Sequence, residues 1–595
     1  MQRIITFITL FAAVATVNGK TIDENGACRI AEEFLQSRGI HTTLNATYLE
    51  NLQQSRAEGY DAPYHIFNLT EGGFIIIAGD DRAKTVLAYS LEGSFDSSLI
   101  PEPCRQWLDQ YATEINSVAG TSLATATTET EYPKEIIAPL IKTTWSQEAP
   151  FNNSCPTDAS SGKKCLTGCL ATASAQIMNF HQYPLKGTGT ITYTDPKQKV
   201  ERMMDFTSRG DFNWTNITGR YPIPVSTQEC DAVAELMLQV GHAMKMQYSP
   251  STSIAYLNDA AFALIKTFNY SPNIHRYERA YIHADEWMKL LVAELSANRP
   301  ILYDGRSSKS GGHAFVCDGY DGNGMFHFNW GWGGMSNGYF ALSALTPTSG
   351  DGIQDYTGEQ VAECGIMPAD AAGSVPQTKH LAGIYSLNVF TSKTEVYSDE
   401  NTYSGKADKS GFIFYCLNLG HYKFKGEIYA TIETGGEITP ISTKWSGEIA
   451  AGDNTPVTLY IPSSLADGTY TVSFHYRLEG DDSWHSMKSR YSTPYQAAVK
   501  VSGDDVTFGK DALSSIVSIE NDTSIELAVA QGSIKISSES GLRQVILCDI
   551  SGRTVVNLNN CGDNASIDTS ALSHGAYILQ ATTNNNNRIT RKIIL

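Results

Sequence analysis

The stretch "KKCLTGCLATASAQIMNFHQYP", Lys163–Pro184, decides how the rest of the chain is read. From Cys169 onward it is small, apolar and uncharged as far as Phe180, the composition of a buried helix, and Pro184 supplies the stop. The spacing predicts a helix of about three to four turns with Cys169 at its N-terminus. Unpaired backbone N–H groups and the positive end of the helix dipole meet there, and both favour a thiolate, the form of cysteine that attacks. A cysteine in an apolar run is also what a small buried hydrophobe looks like. Cys169 is therefore a nucleophile only if partners exist elsewhere.

The base is offered by "SGGHAFVCDGY", Ser310–Tyr320, where His313 opens an apolar strand behind two glycines that let another segment approach closely. Cysteine proteases pair a cysteine and a histidine that are distant in sequence and adjacent in space. An orienting group comes next: "MFHFNWGWGG", Met325–Gly334, places Asn329 sixteen residues after His313, on a neighbouring antiparallel strand if Asp321-Gly322-Asn323-Gly324 is the turn. Asn329 can accept from the imidazole, with Trp330 and Trp332 covering the bond from water. Upstream, "TTWSQEAPFN", Thr143–Asn152, puts Gln147 where its amide and the backbone N–H of Cys169 could form a pair of oxyanion donors. Taken singly, each of these residues also fits an ordinary role: a structural histidine, a Trp-Gly-Trp core strand, a surface glutamine. Cys317 shares a strand face with His313 but lies about 13 Å further along at roughly 3.3 Å per residue, which makes it core.

Together these motifs resemble the streptopain family of cysteine peptidases, papain-like enzymes of bacteria. The likeness spans 136–370 and lies in "TGCLATASAQIMNFHQYP", "DFNW", "GGHAFVCDGY", "FHFNWGWGGMSNGYF" and the closing "GIMP". It implies an α+β papain-like domain in which Cys169 is the nucleophile, His313 the base, Asn329 and Trp330 the orienting pair and Gln147 the oxyanion donor. No cofactor is expected. No Cys or His pairs have zinc spacing, and the glycines near Gly331 are followed by no Lys-Ser/Thr of a phosphate loop. Two departures stand out: the loop "YSPSTSIAY", Tyr248–Tyr256, is poorer in glycine than the family's, and Cys317 replaces an aliphatic residue. Cys165 could be half of a disulfide, perhaps with Cys155, but connectivity stays open.

The chain is 595 residues long, enough for several domains at about 100–200 residues each. Residues 1–19, with Arg3 before the apolar run from Ile4 to Val17 and small residues at Ala15 and Gly19, read as a secretory signal peptide. In 20–118 a helix through Ala31, Phe34 and Leu35, a strand at Phe74–Ala78 and a second helix marked by Trp107, Leu108, Tyr111, Ile115 and Val118 give an α+β module. The Ala/Thr/Ser-rich segment 119–135 is an exposed linker and a natural cutting site. Alternating short runs from 378 to 505 predict a β-sandwich, and a last small β unit occupies 515–595.

These flanks extend the resemblance. "GGFIIIAGDDRAKTVLAYSLEGSFD" with "WLDQYATEI" is similar to the family's inhibitory propeptide, which implies a zymogen cut in the linker and a propeptide acting as intramolecular inhibitor. The closing "SGRTV", "IDTSALSHGAYILQ" and "NRITRKIIL" is similar to the sorting domain of type IX secretion cargo. It implies that machinery as a partner, and a location outside, or on the outer-membrane surface of, a Gram-negative bacterium.

The net charge of −19 argues against nucleic acid as a partner. Beyond the signal peptide no apolar run is long enough to span a membrane. Eleven cysteines are too few for a disulfide scaffold in a chain of this size, and their odd number leaves at least one unpaired within a single chain. The expectation is a secreted, multidomain thiol endopeptidase acting on proteins or peptides through an acyl-enzyme. The rivals are a surface adhesin with an idle papain-like domain, and an acyl transferase using the same thioester.

Overall fold

The computed structural model describes residues 20–47, 62–96, 98–118, 132–222, 224–282, 284–307, 311–345, 360–371, 382–391, 394–397, 403–418, 420–434, 437–489, 497–508, 525–530, 533–549, 554–569, 572, 576–583 and 588–594. The signal peptide, most of the linker at 119–135 and the stretch between the second and third expected domains lie outside the described residues. The chain divides into two compact units, Met1–Pro347 with Ile353–Lys379, and the remainder.

In the first unit, helix α1 (Glu24–Ser37) starts where the Asp23 carboxylate accepts from the Gly26 N–H at 2.7 Å, and it buries Ala27, Ala31 and Leu35 at intervals of four. Four antiparallel strands follow, β1 (Leu44–Thr47), β2 (Tyr64–Leu69), β3 (Phe74–Ala78) and β4 (Val86–Ser90), and then helix α2 (Glu102–Val118). The spacing of Trp107, Leu108, Tyr111 and Ile115 does set the buried face of α2. Beyond the linker come α3 (Cys169–His181), the hairpin β5 (Thr190–Asp195) and β6 (Val200–Asp205), α4 (Thr227–Ala243), α5 (Leu257–Lys266), β7 (His275–Glu278) and α6 (Ala284–Ser296). Strands β8 (Ile301–Ser307), β9 (Gly311–Tyr320), β10 (Met325–Asn329), β11 (Gly338–Ala341) and β12 (Gln360–Cys364) complete the unit.

The N-terminal strands do not form a separate sheet. β4 pairs with β11 through Tyr89↔Tyr339 and Ala88↔Phe340, which merges ten strands in the order β1-β2-β3-β4-β11-β10-β9-β8-β12-β7. Because successive strand residues point to opposite faces, the sheet serves two cores. On one face Tyr303, Phe315, Cys317 and Ala362 pack with Trp107 and Tyr111 of α2 and Trp287 and Leu291 of α6. On the other Leu302, Ala314, Val316 and Val361 pack with Leu170, Ala173 and Ile177 of α3 and with α4 and α5. Cys317 is core, as its place on β9 implies.

Trp107 anchors α2, lying edge-on to Phe315 at 6.0 Å and Phe328 at 5.0 Å between ring centroids. Each such pair contributes about 0.5–1.5 kcal/mol beyond area burial. Polar contacts fix the register. Glu114, 1% exposed, accepts from Gln110 at 2.8 Å, from the Ser343 hydroxyl at 2.7 Å and from the N–H groups of Ala344 at 2.6 Å and Leu345 at 3.2 Å. Burial pushes its carboxyl up, and those donors pull it back. Tyr111 donates to the Ala341 carbonyl at 2.5 Å, and Arg38 pairs with Asp321 at 2.8 Å.

The second unit is all β where described. One sheet contains Ala382–Thr391, Gly411–Asn418 and Asn454–Tyr460, the other Phe424–Thr434, Gly468–Leu478, Ala497–Ser502 and Asp505–Phe508, with Phe412, Phe414, Val457 and Leu459 packed against Ile428, Val472, Phe474 and Val499. A smaller sheet from Ile525–Ala530 to Arg588–Ile594 has its own core of Ile534, Ile536, Val545, Leu547 and Leu579.

Glu114→Ala leaves the donors of Ser343, Ala344 and Leu345 buried without their acceptor, at a cost of about 1–3 kcal/mol. Hydrogen exchange should speed up in 102–118 and 338–345 and stay unchanged in the second unit.

Candidate active site

Cys169 is the first residue of α3 and partly exposed. Gly168 before it has φ 89° and ψ 140° and caps the helix without a side chain. A Cβ there would lie 2.6 Å from Met246 Cε, so both conformation and space require glycine. The loop holding the nucleophile is tied to 246–254: Leu166 N–H donates to the Ser249 carbonyl at 3.0 Å, and the Ser253 hydroxyl donates to the Leu166 carbonyl at 2.7 Å. This is part of the glycine-poor loop noted in the sequence. Cys155 and Cys165, the suggested disulfide partners, are both buried free thiols.

Alternate carbonyls of the extended strip 143–147 are each bound by a different part of the site. Thr143 accepts from Asn329 Nδ2 at 2.7 Å, Trp145 from the Gly333 N–H at 2.9 Å, and Gln147 from the Thr167 N–H at 3.1 Å. Gln147, 8% exposed, is thus tied through its main chain to Thr167, two residues before Cys169. Gln176 adds a cross-tie from α3, accepting from the Thr143 hydroxyl at 2.6 Å and donating to Asn329 Oδ1 at 3.4 Å.

His313 is partly buried near the start of β9, and Asp321–Gly324 closes the β9–β10 turn with the Asp321 carboxylate accepting from Asn323 N–H at 2.8 Å and Met325 N–H at 3.1 Å. The strand's alternation then separates the two reactive groups. His313 pairs with Gly305, and a Cβ at Gly305 would face Trp107 of α2 at 3.6 Å. His313 therefore shares the α2 face with Phe315, while Ala314 turns to the α3 face and its N–H approaches the Cys169 sulfur. The imidazole lies edge-on to Trp332 at 6.2 Å, and its buried Nδ1 has no hydrogen-bond partner among the described residues.

The hydrogen bond expected from the imidazole to Asn329 is accordingly not made. Asn329 Oδ1 instead accepts from Gly331 N–H at 3.1 Å and from Gln176. Trp330 does not cover the histidine either; it is a core residue packed on Phe315 at 4.6 Å, with its indole N–H donating to the Ser336 carbonyl at 2.9 Å. Trp332 is the tryptophan beside His313. Gln176, Thr143 and Ser253 support the site without a signal in the sequence, because each is a polar residue whose partner is distant along the chain.

Electrostatics agree with the geometry. Burial pushes the Cys169 thiol up and the Asp304 charge adds to this, against the N–H groups of Ala314, Leu170 and Cys169 itself. Burial pushes the His313 imidazole down, partly offset by the negative charge of Glu102 on α2. Both shifts favour neutral thiol and neutral imidazole over an ion pair. The depressed imidazole also makes this arrangement lose stability as pH falls below about 6.5, where a free histidine would already carry its proton.

Three parts of the chain match family models: residues 145–340 the Peptidase C10 family, 19–115 the Spi protease inhibitor, and 530–595 a secretion system C-terminal sorting domain. The chain is 32% identical over 459 residues to the thiol protease/hemagglutinin PrtT of Porphyromonas gingivalis, covering 73% of this chain and 50% of that protein. It therefore spans about half the length of that relative. It is 35% identical over 325 residues to streptopain of Streptococcus pyogenes, covering 51% of this chain and 80% of streptopain. Among solved structures, a fragment of prointerpain A from Prevotella intermedia aligns at 29% identity, covering 55% of this chain and 99% of the fragment, with a TM-score of 0.47.

With its proton held on, Cys169 in the full-length protein should react slowly with iodoacetamide at neutral pH and faster as pH rises. Removing 20–118 should raise the neutral-pH rate at least about tenfold. Equal rates before and after removal would mean that the N-terminal module does not govern the thiol.

Proposed function

The chain belongs to the streptopain family of cysteine peptidases, and from that premise we propose that it is an exported endopeptidase made as an inactive precursor. The observation that carries the precursor reading is the position of His313, on the sheet face occupied by α2, while Cys169 lies against the other face. The module at 20–118, which matches an inhibitor family, holds the base away from the nucleophile by packing Trp107 and Glu102 on the side where the imidazole lies.

Once the module leaves, the imidazole can turn to the Cys169 side. Thiolate attack on a scissile carbonyl then places negative charge where the Gln147 amide and the Cys169 N–H can donate. His313 protonates the leaving amine, and water, deprotonated by the same imidazole, releases the acyl-enzyme. Asn329, held by Thr143, Gly331 and Gln176, fixes the floor under the histidine. The substrates are proteins or peptides. The sorting domain directs the protein to type IX export, which puts that activity outside the cell or on its outer surface, and no helix among the described residues is long and apolar enough to cross a membrane.

Cys169→Ala should abolish peptide hydrolysis and, if maturation is autocatalytic, leave the precursor at full length; intact-mass analysis during incubation with a protein substrate reads both. Wild-type turnover in that variant would rule out the nucleophile.

Gln147→Ala should lower kcat by roughly 10²–10³, with KM little changed, because the charge it binds exists only in the transition state. A rise in KM alone would make Gln147 a substrate-binding residue.

A further inference from the structure

The hairpin β5–β6 pairs with no other strand among the described residues, and most of its side chains are exposed or half-buried. Its buried side chains are Met204 and Asp195, and Asp195 is 0% exposed. A carboxylate is costly to bury unless donors surround it. Here Oδ1 accepts from the N–H groups of Lys197 at 3.0 Å and Gln198 at 3.2 Å, which closes the hairpin turn. Oδ2 accepts from Arg202 Nε at 2.9 Å and from the Tyr248 N–H at 3.1 Å. That last bond leaves the hairpin and fixes the start of the loop 248–254, while Lys197 Nζ, donating to the Thr252 carbonyl, fixes its far side. From the same turn Gln198 Nε2 donates to Asp158 Oδ1 at 3.2 Å and approaches Cys165 Sγ at 3.5 Å.

One turn therefore holds both segments that flank the nucleophile. The loop 248–254 grips Leu166 by its N–H, through the Ser249 carbonyl, and by its carbonyl, through the Ser253 hydroxyl. The segment from Asp158 to Cys165 runs directly into Leu166, Thr167 and Gly168. We infer that Asp195 is a positioning residue for the reaction, acting through these two segments on the direction of the Cys169 main-chain N–H. The inference rests on the peptidase reading. An oxyanion donor that is a backbone group can be aimed only by what fixes the residues before it. The Thr167 N–H also binds the Gln147 carbonyl at 3.1 Å, so the same turn sets the second donor relative to the first. A shift of about 1 Å at such a site costs up to about 10²-fold in rate. Ground-state binding changes little, because the charge to be held exists only in the transition state.

The test uses the full chain after it has processed itself, with active sites counted by alkylation of Cys169. The substrate is an internally quenched peptide copied from a site that the protein cleaves in denatured casein. Asp195→Asn keeps the shape and one acceptor oxygen for the turn, and sets an amide N–H against the Tyr248 N–H and Arg202. The expected result is a kcat at least about tenfold below wild type, with KM within about twofold. Ser253→Ala cuts the tie from the same loop to Leu166, so the double variant should lose no more than the worse single variant, whereas independent structural defects multiply. Wild-type kcat in Asp195→Asn, a loss confined to KM, or multiplying losses in the double variant overturns the inference and leaves the peptidase reading intact. If Asp195→Asn fails to accumulate, Lys197→Met decides. It removes one tie from an exposed residue and should lower kcat about threefold with KM unchanged, and wild-type kcat there overturns the inference. If the processed wild type has an alkylatable Cys169 and cleaves no casein, the peptidase reading falls and this inference with it.

Discussion

The period-two alternation of one strand governs this molecule. On β9, neighbouring residues His313 and Ala314 face opposite cores, one shared with α2 and the other with α3. A strand cannot present both to the same side without local rearrangement. Whatever packs on the α2 face therefore decides whether the base can reach the sulfur, and the N-terminal module occupies that face with its largest side chain, Trp107. Inhibition in this arrangement needs no residue inserted into the cleft. It follows from sheet geometry together with an aromatic contact.

The nucleophile side is built differently, from hydrogen bonds to the main chain. The strip 143–147 buries Trp145 in the α3 core, and three of its carbonyls tie together the Asn329 end of β10, the Trp332 loop and the turn before Cys169. The Gly168 conformation and the Met246 contact leave that turn no slack. With one half of the site rigid and the other dependent on what covers the sheet, the two halves can be assembled in sequence.

Much of this was legible in the sequence, for identifiable reasons. The helix beginning at Cys169 is an uncharged run ended by a proline, and the β9–β10 hairpin has a glycine-rich turn of fixed length, so both follow from local pattern. α2 was visible because its apolar residues recur at helical spacing. Less legible was anything decided by a distant partner. Glu114 looks like a solvent-facing acid on a helix and is in fact buried among the donors of 343–345. Asn329 was expected on the imidazole and instead joins Gln176 and Gly331, because the imidazole lies on the other face. Trp330 and Trp332 have the same parity and cannot be told apart by composition; the chain turns at Gly331 and Gly333, both at positive φ, and one indole goes to the core and the other to the histidine. The fusion of two sets of strands into one sheet through β4 and β11 leaves no local trace, since each strand alone would be satisfied at an edge.

While the N-terminal module is present, β11 is an interior strand. When the module departs, Gly338–Ala341 becomes a bare rim of unpaired main-chain groups, and the aromatic face beneath Trp107 loses its cover. The polypeptide that folds is thus a different object from the one that works. The trimmed protein keeps the strand order β11-β10-β9-β8-β12-β7, with β11 now at its edge. A bare rim is also a template for a foreign strand, so the module, while present, covers an edge at which another chain could pair.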